Sequence, residues 1–271
     1  MKKIIKFFFF IILAIIIAVC GVVLIKGYNM YKEAIDETSI ETMFSEIQEE
    51  ENFVTIDEVP DIFINAVVSV EDKRFYEHNG VDLISIGRAI WTNIKTLELT
   101  EGGSTITQQI AKNLYFTQKK DFSRKVAEIF VAKDIEEIYS KEEILEIYIN
   151  TNFYGSGYYG IYDAAMGYYN KEPSELSDYE ATLLAGVPNA PSVYSPKVNL
   201  NLAEQRQSVV LEEMVSSRIF NRRRSRRNWR RTTNKIRKNI NFYIMGKSSR
   251  LSHYIIRLAS NNYCRKRTMK S

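Results

Sequence analysis

Glu71-Asp72-Lys73-Arg74-Phe75-Tyr76-Glu77-His78-Asn79-Gly80 follows directly on an apolar run from Ile62 to Val70. Four of its ten side chains are acidic or histidine, two are basic and two aromatic. The apolar run predicts a buried helix that delivers this cluster to a cleft. A charged block taken alone is usually a solvated helix end held by salt bridges. Its meaning therefore depends on the stretches that accompany it.

The chain has 271 residues, 45 % of them apolar, which is ample for a core. Its formal charge of +4 averages two unlike pieces. Residues 216–271 carry eighteen Lys and Arg and no Asp or Glu, so residues 1–215 hold nineteen basic against all thirty-three acidic residues. Two cysteines, Cys20 and Cys264, without a C-x-x-C pair, exclude a disulfide framework and a zinc cluster. The run Arg222 to Arg231 has the composition of a polyanion-binding patch.

Phe7 to Ile25 is nineteen residues without a charge, preceded by Lys2, Lys3 and Lys6. At about 1.5 Å per residue it spans roughly 28 Å, the hydrocarbon thickness of a bilayer. It reads as an anchor over residues 1–27, because the apolar core is too long for a cleaved signal and no small-x-small site is present. The flanking lysines keep the N-terminus in the cytoplasm and put everything from about Gly27 outside. Residues 28–58, with the acidic segment Glu33 to Glu58, read as a stalk or loose helix ending near Pro60, a residue suited to the first turn of a helix.

From there to Val215 the pattern is helical, without β-alternation of useful length and without an internal repeat. Ser140-x-x-Glu143, Ser177-x-x-Glu180 and Asn201-x-x-Glu204 have the form of N-terminal capping pairs. Gly102-Gly103-Ser104-Thr105-Ile106-Thr107-Gln108-Gln109 reads as a loop turning into a helix, where hydroxyls, amides and backbone N–H groups can receive phosphate or sugar oxygens. It lacks the lysine of a nucleotide-binding P-loop. Arg124 and Glu128 stand four apart and share a helix face. Phe153 to Gly160 combines turn-forming glycines with aromatics, a pattern more often core than substrate platform.

Five stretches together resemble the peptidoglycan glycosyltransferase family, found alone in monofunctional transglycosylases and as the first domain of class A penicillin-binding proteins. They are Glu71-Asp72-x-x-Phe75-x-x-His78-x-Gly80, Gly102 to Gln109, Arg124-Lys125-x-x-Glu128, Ile144-Leu145-Glu146-x-Tyr148-x-Asn150 with Gly155 and Gly160, and Glu180-Ala181-x-Leu183-Leu184-Ala185-Gly186-x-Pro188. They occur in the family's order between about Val59 and Pro196. The resemblance implies a mainly α, lysozyme-like domain over 59–215 behind one transmembrane helix. It implies lipid II and the growing glycan strand as substrates, polymerised into β-1,4 glycan with inversion at the donor's anomeric carbon.

By the same resemblance Glu71 is the general base, which a poor nucleophile such as a sugar hydroxyl requires. Glu128 is the second catalytic glutamate. Lys112, Arg124 and Lys125 are the cations that would hold the departing pyrophosphate. Ser104, Thr105, Gln108 and Gln109 would line the cleft and hold sugar and phosphate oxygens, with His78 and Asn150 architectural. No metal ligand set and no cofactor are expected, although a divalent cation, Mg or Mn, could assist the phosphates without dedicated ligands. Implied partners are the bilayer and other proteins of cell-wall synthesis, with no nucleic acid. Leu83 to Leu99, including Trp91, suits either a lipid-facing lobe or ordinary core.

Two other classes fit parts of the chain. A muramidase-like hydrolase also uses paired carboxylates on a helical scaffold, but the cluster Lys112, Arg124 and Lys125 favours a charged leaving group. A catalytically silent assembly protein is disfavoured by the two intact glutamates. Asn201 to Val215 reads as an amphipathic helix, and after it the composition changes abruptly. No Ser-x-x-Lys or Lys-Thr-Gly occurs, so no transpeptidase domain is expected within these residues. If Arg218 to Arg227 use AT-rich codons, a shift of one nucleotide yields Gly-Tyr-Leu-Thr-Glu-Glu-Glu-Ala-Glu, an ordinary helical continuation. Residues 216–271 are therefore expected to be a frameshifted, disordered tail, against the alternative of a basic extension holding anionic lipid or wall polymer.

Overall fold

A computed structural model describes residues 2–96, 102–116 and 121–217. The basic tail beyond Ser217 and the end of the Leu83 to Leu99 stretch lie outside the described residues. Among those residues regular structure is helical, and extended pairing is limited to an isolated antiparallel bridge between Phe153 and Tyr159. The order is α1 (Lys2–Glu37), α2 (Ile40–Gln48), α3 (Asp61–Glu71), α4 (Leu83–Thr96), α5 (Ile106–Tyr115), α6 (Phe122–Ile138), α7 (Lys141–Thr151), α8 (Gly160–Tyr169), α9 (Asp178–Gly186), α10 (Pro191–Tyr194) and α11 (Pro196–Ser216).

The quoted apolar run forms α3, which buries Ile62, Phe63, Ile64, Ala66, Val67 and Val68. A helix apolar on nearly every side belongs at the centre of a fold, and α3 packs against α9 and α11. At about 1.5–3 kcal/mol per large buried side chain this helix contributes heavily to the core. Ser140 and Ser177 accept from the backbone N–H of Glu143 and Glu180 as full capping boxes, fixing where α7 and α9 begin. The third expected pair is displaced. Asn201 lies within α11, and Asn199, the one residue of α11 with non-helical angles, accepts from the N–H of Leu202 at 3.1 Å instead.

Helix α1 has 36 residues, about 54 Å at 1.5 Å per residue and longer than a bilayer's hydrocarbon of about 30 Å. It is long and apolar enough to cross a membrane, and its large side chains from Ile4 to Ile25 are exposed. Its last third lies along α6. Tyr28 and Tyr31 pack on Phe130 with ring centroids 5.5 and 5.4 Å apart, and the Tyr31 hydroxyl donates to Asp134 at 2.6 Å. Gly27 marks the closest approach: a Cβ there would stand 2.5 Å from Cβ of Val126.

At this level one expectation changes and one open choice narrows. The segment read as a stalk is folded onto the domain from Ile40 onward: α2 buries Ile40, Phe44 and Ile47, and the N–H groups of Val54 and Ile56 donate to Asn150 and Glu146 on α7 at 2.9 Å each. Its acidic residues conceal an i, i+4, i+7 apolar stripe. Helix α4 is not core, because Leu83, Ile84, Ile90, Trp91 and Ile94 are 55–76 % exposed and only Ala89 is buried.

Candidate active site

The stretch after α3 is held in place by its own polar groups. Asp72, buried at the C-cap of α3, takes Nε2 of His78 on both carboxylate oxygens at 3.0 Å, and its Oδ2 also accepts from the N–H of Ile106 at 3.1 Å. Gly80 adopts φ +80°, and a Cβ there would lie 2.7 Å from the carbonyl oxygen of Ala132 on α6. The Thr105 hydroxyl donates to the Gly80 carbonyl at 2.7 Å. The first stretch is thereby tied to the start of α5 and the middle of α6.

Thr105 and the Gln108 side-chain oxygen are engaged in that frame, whereas Gln108 Nε2 is buried without a hydrogen-bond partner among the described residues. The Thr105 hydroxyl accepts from the Gln108 N–H and the Gln108 side chain accepts from the Thr105 N–H, each at 3.1 Å, which closes a capping box. They are 3 % and 1 % exposed, and their capping contacts fix the start of α5. The orphan N–H groups of a helix start explain why. Ser104 and Gln109, on either side of them, face the ionisable groups.

Glu71, at the last turn of α3, has a side chain only 10 % exposed. Its Oε2 accepts from Gln109 Nε2 at 3.0 Å, and Gln109 Oε1 accepts in turn from the Tyr148 hydroxyl at 3.5 Å. Its Oε1 is buried without a hydrogen-bond partner, the nearest ion-pair contact being Arg206 at 3.9 Å. Burial pushes the Glu71 carboxyl above the usual range. The Gln109 hydrogen bond and the charges of Arg206 and Lys112 pull it down, and Asp72 pushes it up.

Glu128, on α6, has a side chain 1 % exposed with both oxygens engaged. Oε1 pairs with Arg124, and Oε2 accepts from Lys125 at 2.8 Å. Lys125 also donates to the Ser104 hydroxyl at 2.7 Å. Lys112 sits one turn beyond Gln109 on α5. Burial lowers its pKa, opposed by Glu128, reinforced by Arg124 and Lys125, and opposed again by Glu71. Lys112 thus feels both carboxylates, and α5 links the two halves of one site.

Asn150 is structural in its contacts. Its amide spans the backbone of Val54 in both directions, at 2.9 and 2.8 Å, and donates to the Glu146 carbonyl. Sequence reasoning missed Arg206 and Tyr148 as neighbours of Glu71. Arg206 could have been found: it adjoins the buried positions Ala203, Gln207 and Val210 of α11, where a long cation needs a partner.

A family model described as Transglycosylase matches residues 36–215. Penicillin-binding protein 1F of Bacillus subtilis (strain 168) is 45 % identical over 161 residues, 59 % of this chain and 22 % of that protein. Penicillin-binding protein 1A of Neisseria lactamica is 42 % identical over 173 residues, 64 % of this chain and 22 % of that protein. Against the crystal structure of penicillin-binding protein 1A from Haemophilus influenzae the TM-score is 0.36 with 23 % identity, over 67 % of this chain and 17 % of that one. The chain therefore spans about a fifth of the length of these curated relatives. The family match runs over most of the chain and takes in both glutamates, the three cations beside them and Arg206, so the chain belongs to the transglycosylase family.

Proposed function

We propose that this chain is an inverting peptidoglycan glycosyltransferase that polymerises lipid II into β-1,4 glycan strands and releases undecaprenyl pyrophosphate. Membership of the transglycosylase family supports the class of reaction. The observation that carries the mechanism is the pairing of one buried carboxylate that has a vacant oxygen with another that is saturated by cations.

In this reading the 4-hydroxyl of the acceptor sugar gives its proton to Glu71 Oε1 as its oxygen attacks the donor's anomeric carbon. The bond from that carbon to the phosphate oxygen breaks, and its electron pair leaves with the diphosphate. Glu71 is suited to the task because burial makes it a stronger base than an exposed carboxylate. Lys112, Arg124 and Lys125 meet the charge that builds on the diphosphate, with Glu128 and Ser104 fixing Lys125 in place. Gln109 orients the base, while Thr105, Gln108, His78 and Asn150 hold the frame. Hydrolysis in the manner of a muramidase would expel a neutral sugar hydroxyl and needs a protonated carboxyl beside it, for which a cluster of three cations is poorly suited.

Among the described residues no group of three or more His, Cys, Asp or Glu could hold a metal ion. A divalent cation assisting the reaction would ride on the diphosphate's own oxygens. The anchor α1, with its lysine flank inside, keeps the domain on the outer face of the membrane, where lipid-linked donor and acceptor both reside. The exposed apolar side chains of α4 would dip into the same interface.

The test is polymerisation of labelled lipid II by the wild type beside Glu71→Gln, which keeps the shape and removes the base. Loss of product by about a thousandfold is expected. Substantial polymer from the variant, or release of fragments from preformed glycan by the wild type, would overturn the assignment.

A further inference from the structure

Glu71 Oε1 is a buried charged oxygen with no hydrogen bond among the described residues. Arg206 presents a guanidinium nitrogen to it at 3.9 Å, with side chains 14 % and 10 % exposed. That separation is beyond hydrogen-bond length, yet charges so close and so poorly hydrated interact strongly. The guanidinium has other holds. Its Nε donates to the Gly186 carbonyl at 3.4 Å, and its Cζ stands 6.0 Å from the ring centroid of Tyr194. Gly186 leaves it room, since a Cβ there would meet Cγ of Arg206 at 3.0 Å.

We propose that Arg206 is the positioning residue for the proton acceptor: it keeps the Glu71 carboxylate charged from a distance that leaves Oε1 vacant for the incoming hydroxyl. The proposal rests on the reading of Glu71 as the base. Had the guanidinium closed on Oε1, that oxygen would be occupied as both oxygens of Glu128 are, with no room for the incoming hydroxyl. Had it been absent, burial would favour the protonated form, which cannot accept a proton.

The other groups facing Glu71 leave Arg206 this role. Helix α3 brings Asp72, which opposes ionisation, and α5 brings Gln109 and Lys112, which favour it. The buried hydroxyls of Tyr148 and Tyr154 both sense the Glu71 charge. Helix α9 buries Ala181, Leu184 and Ala185 beside α3, and its Glu180 is paired with Lys171. Glu213 of α11 is paired with Lys73. Lys112 is the other cation acting on Glu71, and it is shared with the leaving diphosphate. Arg206 lies outside that cluster and keeps its charge for the base.

The experiment is the pH–rate profile of lipid II polymerisation by the full chain in detergent, for wild type, Arg206→Gln, Arg206→Lys and Gly186→Ala. Arg206→Gln should move the acid limb to higher pH, with rates about tenfold below wild type at the acid end and within about threefold on the alkaline plateau. Arg206→Lys should follow the wild-type limb. A uniform loss at every pH, or an unmoved limb, overturns the proposal. Should Arg206→Gln fail to fold, Gly186→Ala, which displaces the guanidinium without removing it, must move the limb the same way. Carbon-13 titration of the Glu71 carboxyl, assigned by its absence in Glu71→Gln, reads the coupling without turnover. If the wild type makes no polymer, the proposed activity fails while this titration still decides whether Arg206 acts on Glu71.

Discussion

Glu71 and Glu128 are the same side chain, 10 % and 1 % exposed, and they have been given opposite surroundings. Glu71 keeps one oxygen vacant, one on an amide, and a guanidinium held back at 3.9 Å. Of the two, only Glu128 has a direct ion pair on each oxygen. In the proposed mechanism the carboxylate with a vacant oxygen is the base, and the fully paired one holds Arg124 and Lys125 where the diphosphate would leave.

The strongest way to break that contrast is to neutralise each glutamate and measure stability. Glu128→Gln strands two cations in a poorly hydrated site. Lys125 remains 41 % exposed, which discounts the penalty, so a cost of about 2–3 kcal/mol is expected, a fall in Tm of roughly 4–10 °C. Glu71→Gln should do the reverse. Its pKa is raised in the fold, so ionising it costs stability, and the amide removes that cost. The variant's advantage should be absent at low pH, open as pH climbs from the ordinary carboxylate range, and level off above the raised value. Thermal melts across pH check both signs, and two variants shifting in the same direction would erase the distinction.

A second test sharpens it through the group that both glutamates share. Lys112→Met removes a cation that faces Glu128 first and Glu71 less. Polymerisation at saturating lipid II should fall by about a hundredfold through lost charge stabilisation on the leaving group. The acid limb should move up only slightly, because Lys112 is the weakest of the causes acting on Glu71. A large shift of the limb with little loss on the plateau would assign Lys112 to the base instead.

Much of this was legible in the sequence, and the failures share a cause. The helical class and the family follow from the spacing of five stretches, and the caps at Ser140 and Ser177 from short-range hydrogen bonding. The capping box of Thr105 and Gln108 was not read from the sequence, because a hydroxyl and an amide look alike whether they close a capping box or hold a sugar. The exposed face of α4 was undecidable, since core and lipid both select apolar residues at helical spacing. Helix α2 was hidden by its own acidic residues. The pattern of α11 hints that Arg206 needs a partner, but not which one, because Glu71 lies 135 positions away in sequence.

The two glutamates also differ in what stands behind them. Helix α3, with Glu71, is backed by α9 and α11, whereas α6, with Glu128, is backed by the end of the anchor α1. Gly27 is where that backing is tightest, with the Ser123 carbonyl oxygen 2.6 Å from where a Cβ would be. Gly27→Leu must push α1 off α6 or tilt α6 itself, a strain of about 1–3 kcal/mol. Because Arg124, Lys125 and Glu128 ride on α6 and Glu71 does not, the damage should fall mainly on the cation clamp. Polymerisation should drop several-fold, about threefold to tenfold, with the acid limb of the pH profile unmoved. Asp134→Asn, which weakens only the hydrogen bond from Tyr31, should have a smaller effect of the same kind. If Gly27→Leu instead displaced the acid limb, the base would be coupled to the anchor as well, and the division of labour between the two carboxylates would not follow the division between the two helices.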